Sequence, residues 1–220
     1  MNVLVLGGAG LLGQDLCAAL ASRGYPSHSV DREDVDITEP GAVAAALADT
    51  GATQVVNCAA YTAVDQAESE REEAFRINAE GARLAAAQAA VAGVPFLQLS
   101  TDYVFDGGKE VGYLESDELG PLSAYGASKA AGEQAVLDVH PSACVVRTQW
   151  LFGLGGPNFV ETMLRLGAER GHLSVVDDQV GSPTWTADLA RGLVWLLEEG
   201  ASGRYHLTNA GTTSWCGFAR

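Results

Sequence analysis

The sequence predicts an α/β protein with a Rossmann-type, doubly wound parallel sheet, and three observations support this prediction. Short apolar runs alternate with helical patterns, as expected of βαβ units with helices on both faces of a parallel sheet. The first run, Met1–Leu6, leads directly into a glycine-rich turn and then into a helical pattern over Gln14–Arg23. Farther along the chain, Tyr125 and Lys129 lie four residues apart at the start of another helical pattern.

The remaining elements alternate in the same way up to about residue 150. A second apolar stretch ends at Val30, and no repeat or low-complexity linker interrupts the pattern. In chain order we predict a helix near Pro40–Ala48, a strand at Gln54–Asn57, an alanine-rich helix from about Glu68 to Ala92, a strand at Phe96–Leu99, a helix from Lys129 to Val139 and a strand at Ala143–Arg147.

The pattern changes after about Trp150, where loops become longer. We therefore expect two parts, a domain over residues 1–150 that holds the sheet and a small lobe over residues 151–220. The lobe is expected to be interleaved with the first part and truncated at Arg220, where the chain stops just inside a new helix. Its predicted elements are a helix at Phe159–Glu169, a strand at Leu173–Val176, a polar turn at Asp177–Thr184 and a helix at Ala187–Glu198.

Composition excludes several classes of function. The formal net charge of −15, with no basic stripe, argues against partners such as nucleic acid or an acidic membrane surface, and no apolar run is long enough to span a bilayer. The four histidines are isolated from one another, so no metal site is predicted. Cys17, Cys58, Cys144 and Cys216 are scattered through apolar contexts, which favours four reduced core residues in a cytoplasmic protein.

The glycine-rich turn has the spacing Gly-x-x-Gly-x-x-Gly, a relative of the usual dinucleotide-binding fingerprint. The first glycine allows a tight turn, the second lets backbone approach a pyrophosphate, and the third lets helix and strand pack closely. The alternative is a glycine-rich turn without a ligand, which the flanking strand and helix make less favourable. The residues predicted to bind a cofactor here are Gly7, Gly10, Leu11, Leu12 and Gly13.

Two further positions bear on which dinucleotide is bound. Asp31 follows the second strand, about 20 residues past the glycines, where an acidic residue binds a ribose 2′-hydroxyl and so favours NAD. Its neighbour Arg32 favours the 2′-phosphate of NADP, so the sequence leaves NADPH and NADH both open. Asp36 and Ile37 are predicted to flank the adenine; the alternative for them is a solvated acidic turn before a helix.

The pair Tyr125 and Lys129 is predicted to perform acid–base chemistry. Residues four apart on a helix share one face, and a nearby ammonium lowers the pKa of a phenol from its usual value near ~10. Thr101 follows a buried strand and so lies at a carboxyl edge, where open α/β sheets keep their chemistry. A solvated helix face is the alternative for the pair by itself, because this spacing is common by chance.

Together these features resemble the extended short-chain dehydrogenase/reductases and, within them, the dTDP-4-dehydrorhamnose reductase family. The most specific parts are the Thr-Ala-Val-Asp and Ser-Thr-Asp-Tyr-Val-Phe blocks. Matching segments cover nearly the whole chain in order: Gly7–Gly13, Asn57–Glu68, Ser100–Gly107, Tyr125–Lys129, Arg147–Trp150, Asp177–Gln179, Gly181–Thr184 and Gly211–Trp215. Family members usually continue past the position of Arg220, so an incomplete sugar site is expected if the chain ends there.

The resemblance implies a role for each matching site residue. Thr101, Tyr125 and Lys129 form the catalytic trio, in which Tyr125 gives a proton to the keto oxygen, Thr101 orients that oxygen and Lys129 binds the nicotinamide ribose. Tyr125 and Lys129 thereby also contact the cofactor. The substrate contacts are Thr101, Asp102, Tyr103 and Trp150, although packing is the alternative for the last two. The further cofactor contacts are Ala60, Tyr61, Thr62 and Leu99.

The implied reaction is NAD(P)H-dependent reduction of the 4-keto group of dTDP-4-dehydro-L-rhamnose, or a close dTDP-keto-sugar, to dTDP-L-rhamnose. Residues 1–150 are then the NAD(P)-binding domain and residues 151–220 the substrate-binding lobe, in a monomer or homodimer. One alternative is a sugar-nucleotide epimerase or dehydratase; Tyr103 fits a reductase better, because dehydratases commonly carry an Asp-Glu pair beside the threonine. The other is a non-catalytic subunit like the methionine adenosyltransferase β-subunit.

Overall fold

A computed structural model describes residues 1–220 and contains one large parallel sheet. Its six strands lie in the order β2-β1-β3-β4-β5-β9, and every neighbouring pair is parallel. Strands β6 and β8 form a small parallel pair, and β7 and β10 form an antiparallel one. The strands are β1 Val3–Leu6, β2 Ser27–Val30, β3 Gln54–Asn57, β4 Phe96–Thr101, β5 Cys144–Thr148, β6 Leu151–Phe152, β7 Val180–Gly181, β8 Thr184–Trp185, β9 Gly203–His206 and β10 Thr213–Ser214.

Helices cover both faces of the large sheet, because β1, β4 and β5 are buried along their whole length and must be shielded from water on each side. The helices are α1 Leu11–Ser22, α2 Ala42–Thr50, α3 Arg71–Phe75, α4 Ala82–Ala92, α5 Ala124–Val139, α6 Phe159–Glu169, α7 Thr186–Glu198 and α8 Trp215–Phe218, with short 3₁₀ turns at Gln66–Glu68 and Asp102–Val104 and a π-helix at Arg76–Gly81.

The core consists of two apolar clusters on opposite faces of the sheet. Val3 and Val5 point into a cluster shared with α1 and α7, whereas Leu4 and Leu6 point into one shared with α2 and α4. This division follows from the strand geometry, in which successive side chains alternate between faces. The doubly wound architecture predicted from the sequence is therefore confirmed.

The order of the strands also fixes where a ligand can bind. Strand β1 pairs with β2 on one side and with β3 on the other, so the chain crosses over in opposite directions from it. A crevice opens at the carboxyl ends of the strands at such a switch point. The turns that follow β1, β2 and β3 all lie at this edge.

Several predicted features differ in the structure. Leu173–Val176 is not a strand, because no neighbouring strand pairs with it and two of its four residues are exposed. The alanine-rich helix is interrupted by the π-helix Arg76–Gly81. Of the four free cysteines only Cys144 is fully buried, so the expectation of four core cysteines is wrong in part.

The boundary near residue 150 does not divide the sheet. Helix α7 packs against α1, and β9 pairs with β5, so residues from the second part complete the first. The interleaved arrangement leaves α6, α8 and the two small strand pairs outside the large sheet. None of the helices in residues 1–220 is both long and apolar enough to cross a membrane.

Candidate active site

The glycine turn after β1 needs glycine at positions 7 and 13. Gly7 has φ +74°, and a Cβ atom there would lie 2.7 Å from the backbone nitrogen of Ala59, at the end of β3. A Cβ atom at Gly13 would lie 2.4 Å from the carbonyl oxygen of Gly7, so α1 packs directly on the turn. Sequence reasoning assigned no role to Gly8, yet a Cβ atom there would lie 2.0 Å from Ser29 Oγ.

Gly10 has a different environment, because it is exposed and its only close neighbour is the Gly7 carbonyl oxygen. It precedes α1 directly, and no side chain caps the helix. The backbone N–H groups of Leu11, Leu12 and Gly13 donate to no other backbone group. The turn therefore presents unpaired donors, with the positive end of the helix dipole, beside open space.

Beside this turn lies a cavity of about 330 Å³ at the carboxyl ends of β1, β2 and β3. It brings together eight residues that the sequence predicted as cofactor contacts. These are Gly7, Asp31, Arg32, Asp36, Ile37, Ala60, Tyr61 and Thr62. Leu99 is not among the lining residues, because its side chain packs in the core cluster shared with α1 and α7.

Charged groups are arranged along the cavity wall. The Asp31 carboxylate accepts a 2.9 Å hydrogen bond from the backbone nitrogen of Ala9, which ties it to the glycine turn. Arg32 Nε lies 3.5 Å from Asp36 Oδ2. The hydroxyl and backbone N–H of Thr38 donate to Asp36, and these hydrogen bonds hold the pKa of its carboxyl below the usual range.

These features fit a dinucleotide cofactor. The unpaired N–H groups at the start of α1 suit a pyrophosphate, the apolar lining of Ile37 and Ala60 suits an adenine, and Asp31 can accept a hydrogen bond from a ribose hydroxyl. Among residues 1–220 no group of three or more His, Cys, Asp or Glu side chains is arranged to hold a metal ion.

The predicted catalytic residues meet at the same edge of the sheet, where β4 ends and α5 begins. Thr101 is the last residue of β4; its Oγ1 accepts from Tyr103 N at 3.2 Å and donates to Asp102 Oδ1 at 3.0 Å. Ser123 caps α5 by accepting a 3.0 Å hydrogen bond from Gly126 N, so Tyr125 lies in the first turn.

The electrostatics of Tyr125 and Lys129 differ from the prediction. Burial raises the pKa of Tyr125 to about 12, only the neighbouring Thr101 hydroxyl acts in the other direction, and Lys129 is not among the causes of the shift. The Lys129 ammonium instead donates to the backbone carbonyl of Leu99 at 2.7 Å. Burial lowers the pKa of Lys129 to about 8. The expectation that Lys129 lowers the pKa of Tyr125 is therefore wrong for this structure, because loss of water destabilises the phenolate more than any nearby charge stabilises it.

Two of the predicted substrate residues lie next to this centre. Burial raises the pKa of Asp102 to about 6, although the hydrogen bond from Thr101 opposes the shift. The Tyr103 ring meets the Tyr125 ring edge to face, with 5.6 Å between centroids, and its side chain is exposed. Tyr103 is therefore available to a ligand rather than buried in the core.

Trp150 lies farther out, in an aromatic cluster. It is the only residue other than glycine with a positive φ, 49°. Its ring stacks on Trp215 with 3.6 Å between centroids, and its edge covers the backbone of Gly181. Packing thus accounts for one face and one edge of the ring.

Sequence reasoning missed several buried polar residues that hold the site together. Asn78, in the π-helix, donates to Tyr61 O at 3.0 Å and to Ser128 Oγ at 2.9 Å, and so joins the cavity wall to α5. Glu133 and Arg147 form an ion pair beneath the catalytic residues. Glu133 lies in a helical pattern, where a charged residue predicts a solvated face, and Asn78 is a single polar residue within the predicted alanine-rich helix, so no local signal distinguished these two positions.

Comparisons with known proteins agree with this arrangement. The family model described as "RmlD substrate binding domain" matches residues 1–220. The chain is 47% identical to the dTDP-4-dehydrorhamnose reductase of Streptomyces griseus, over 98% of this chain and 73% of that protein. It is 46% identical to the dTDP-4-keto-6-deoxy-D-glucose reductase of Streptomyces niveus, over 99% of this chain and 76% of that one.

A solved structure shows the same fold with a cofactor. The dTDP-4-dehydrorhamnose reductase of Bacillus anthracis, crystallised in complex with NADP, superposes with a TM-score of 0.96 at 44% identity and covers 99% of this chain and 78% of that one. The family match over the whole chain, the identities and the superposition establish its place: the chain belongs to the dTDP-4-dehydrorhamnose reductase family.

Proposed function

We propose that this protein reduces the 4-keto group of dTDP-4-dehydro-L-rhamnose, or of a close dTDP-keto-sugar, to give dTDP-L-rhamnose with NADPH or NADH. The observation that carries the proposal is the convergence of Thr101, Tyr125 and Lys129 at the carboxyl edge of the sheet, the same edge at which the cavity beside the glycine turn opens. The names of the relatives, which include reductases of two dTDP-keto-sugars, support the same reaction.

The side chains are suited to the reduction direction. When bound, NAD(P)H supplies the hydride that adds to the carbonyl carbon. Tyr125, with a pKa of about 12, is protonated at neutral pH and so has a proton to give to the oxygen as its negative charge develops. The Thr101 hydroxyl orients that oxygen and stabilises the charge. Lys129 binds the nicotinamide ribose while it is charged, which its pKa of about 8 permits near neutral pH.

The remaining assignments belong to the same proposal. Asp102, Tyr103 and the free face of Trp150 contact the sugar nucleotide. The glycine turn binds the pyrophosphate, and Asp31 with Arg32 binds the adenosine ribose. Leu99 contributes its backbone, because its side chain lies in the core.

We further propose that residues 1–150 are chiefly the cofactor-binding part and residues 151–220 chiefly the sugar-binding part, with α7 and β9 as exceptions that support the sheet. All four cysteines are free thiols, which supports a cytoplasmic location. A monomer or homodimer stays a prediction.

Turnover with defined substrates tests the proposal. The purified chain is given dTDP-4-dehydro-L-rhamnose with NADPH or NADH, the loss of reduced nicotinamide is followed by absorbance, and the product is identified by mass spectrometry and NMR. A UDP-linked keto-sugar is the matched control for the nucleotide. Stoichiometric formation of dTDP-L-rhamnose supports the proposal. Cofactor binding with no turnover of any keto-sugar indicates a binding subunit. Isomerisation of the sugar nucleotide without net oxidation of the reduced nicotinamide indicates an epimerase.

A further inference from the structure

A carboxylate lies fully buried beneath the catalytic residues, and the proposed reaction assigns no role to it. Glu133 is 1% exposed, on the face of α5 that meets β4. Its carboxylate accepts hydrogen bonds from Ser100 Oγ at 2.5 Å and from Arg147 at 2.9 Å (Nε) and 2.7 Å (Nη2). Burying a carboxylate is costly unless it is paired, and these contacts satisfy it.

Glu133 stands in a regular relation to the catalytic residues. Tyr125, Lys129 and Glu133 follow one another at intervals of four along α5, so they share one face of the helix. That face meets consecutive residues of β4, because Lys129 donates to the Leu99 carbonyl and Ser100 donates to Glu133. Two hydrogen bonds, one turn apart, thus fasten α5 to the strand that ends at Thr101.

Glu133 also acts on Lys129 through its charge. Lys129 is 5% exposed, and burial favours its neutral form. The charge of Glu133 opposes that effect most strongly, whereas the Cys58 thiol, whose pKa burial raises to about 12, is neutral where Lys129 titrates. Other charged groups face Glu133 from neighbouring elements, namely Arg147 on β5 and Arg204 on β9. Arg147 in turn contacts the His206 ring on β9 and donates to the backbone carbonyl of Glu115 in the loop before α5.

We propose that Glu133 is a positioning residue for the reduction, which keeps Lys129 charged and holds α5 against β4 so that Tyr125 faces Thr101. This inference rests on the proposed function. The stability of the fold does not by itself require such a pair, because replacing a buried ion pair with well-packed apolar side chains is often neutral or stabilising.

The lysine content of the chain makes a direct test feasible. Lys109 and Lys129 are the only two lysines in the sequence. With ¹³C-labelled lysine, the Cε resonances of the cofactor-free protein consist of two signals, which Lys109→Arg assigns. The pKa of Lys129 is then measured by titration, independently of any turnover.

The variants are Glu133→Gln, Glu133→Asp and the double variant Glu133→Gln/Arg147→Met. The double variant removes the Arg147 guanidinium that Glu133→Gln leaves unpaired, and it is used if the single variant folds poorly. We expect the pKa of Lys129 to fall by about one unit in Glu133→Gln, because the opposing charge is gone, and by less in the double variant, because the positive charge of Arg147 is gone as well. At pH 8 the Kd for NADPH should rise about fivefold in Glu133→Gln, and at pH 6, where Lys129 stays charged, it should change much less. The high-pH fall in kcat should move to lower pH, and Glu133→Asp should restore most of the wild-type profile.

Two outcomes overturn the proposal. One is a Lys129 titration that is the same in the wild type and in Glu133→Gln. The other is an equal loss of kcat at every pH, not restored by Glu133→Asp, which is the mark of a purely structural residue. A wild-type protein that reduces no keto-sugar contradicts the proposed function instead. The Lys129 titration then still decides whether Glu133 keeps Lys129 charged.

Discussion

Gly126 in α5 touches the backbone of Tyr103 so closely that a Cβ atom at position 126 would lie 2.1 Å from the Tyr103 carbonyl oxygen. The contact joins the residue after Tyr125 to the second residue after Thr101. Because the obstructing atom belongs to the backbone, a side chain at position 126 forces the helix and the strand end apart. This glycine therefore sets the distance between the proposed proton donor and the hydroxyl that orients the substrate.

Gly126→Ala is expected to reduce kcat at least about tenfold, because small misplacements of reacting groups are costly. The melting temperature should also fall. Gly167→Ala is the matched control, since Gly167 lies within α6 with no atom near its Cβ position. That variant should keep full activity and gain up to about 1 kcal/mol in the free energy of unfolding. Equal activity in both variants contradicts the spacing role of Gly126.

Tyr125→Phe is expected to reduce kcat by about 100-fold or more while NADPH affinity stays nearly unchanged, because only the proton donor is removed. Steady-state kinetics and fluorescence titration of NADPH measure the two effects. Tyr25→Phe is the control, since the Tyr25 hydroxyl contacts Glu198, away from the cavity. Turnover near the wild-type rate in Tyr125→Phe shows that another group supplies the proton.

Asp31→Ala is expected to shift preference toward NADPH, because a carboxylate beside the adenosine ribose repels a 2′-phosphate. Affinity for both cofactors should fall somewhat, since the bond from Ala9 to Asp31 is lost. Arg32→Ala is the reciprocal variant and should selectively reduce kcat/KM for NADPH. The measurement is the ratio of kcat/KM for NADPH to kcat/KM for NADH. An unchanged ratio in both variants shows that the 2′-position of the adenosine ribose does not lie beside Asp31 or Arg32.

The activity of the wild type is expected to fall above about pH 8, the pKa of Lys129, because the ammonium loses its charge there. Lys129→Met should bind the cofactor more weakly, and its residual activity should have a higher pH optimum with no fall at pH 8. Lys109→Arg, which replaces the other lysine, should retain the wild-type profile. A fall at pH 8 that persists in Lys129→Met assigns that titration to a different group.

Asp102→Asn is expected to stabilise the fold above pH 6 while it impairs turnover. Folding raises the pKa of Asp102 from 3.8 to about 6, so the folded state binds more protons than the unfolded state between these values. The free energy of unfolding therefore falls as pH rises through this range, and the penalty is fully present above pH 6. Removing it should add about 3 kcal/mol at pH 8 and almost nothing at pH 3.

Urea unfolding at the two pH values measures the difference. Asp49→Asn is the control, because Asp49 lies on the exposed side of α2. A gain in Asp102→Asn that is the same at both pH values contradicts the assigned titration.

Patterns close together in the sequence predicted most of the fold correctly. Strand Gln54–Asn57 and helix Phe159–Glu169 have the predicted bounds, because an apolar strand run and a 3.6-residue period are local signals. The predicted strand at Leu173–Val176 is wrong, since a strand also needs a partner, which no local pattern reveals. The π-helix was missed for a related reason: its Asn78 bonds to Tyr61, 17 residues away.

The sequence by itself determined the fold class and the class of cofactor, because apolar runs and the glycine spacing are local patterns, and it predicted Thr101, Tyr125 and Lys129 as catalytic residues through resemblance to a known family. Only the tertiary structure decided how those groups are charged and held. Whether Tyr125 titrates high or low depends on burial, and whether Glu133 faces water or Arg147 depends on strands brought together from distant parts of the chain. Desolvation and ion pairing act through space, so no spacing along the chain encodes them.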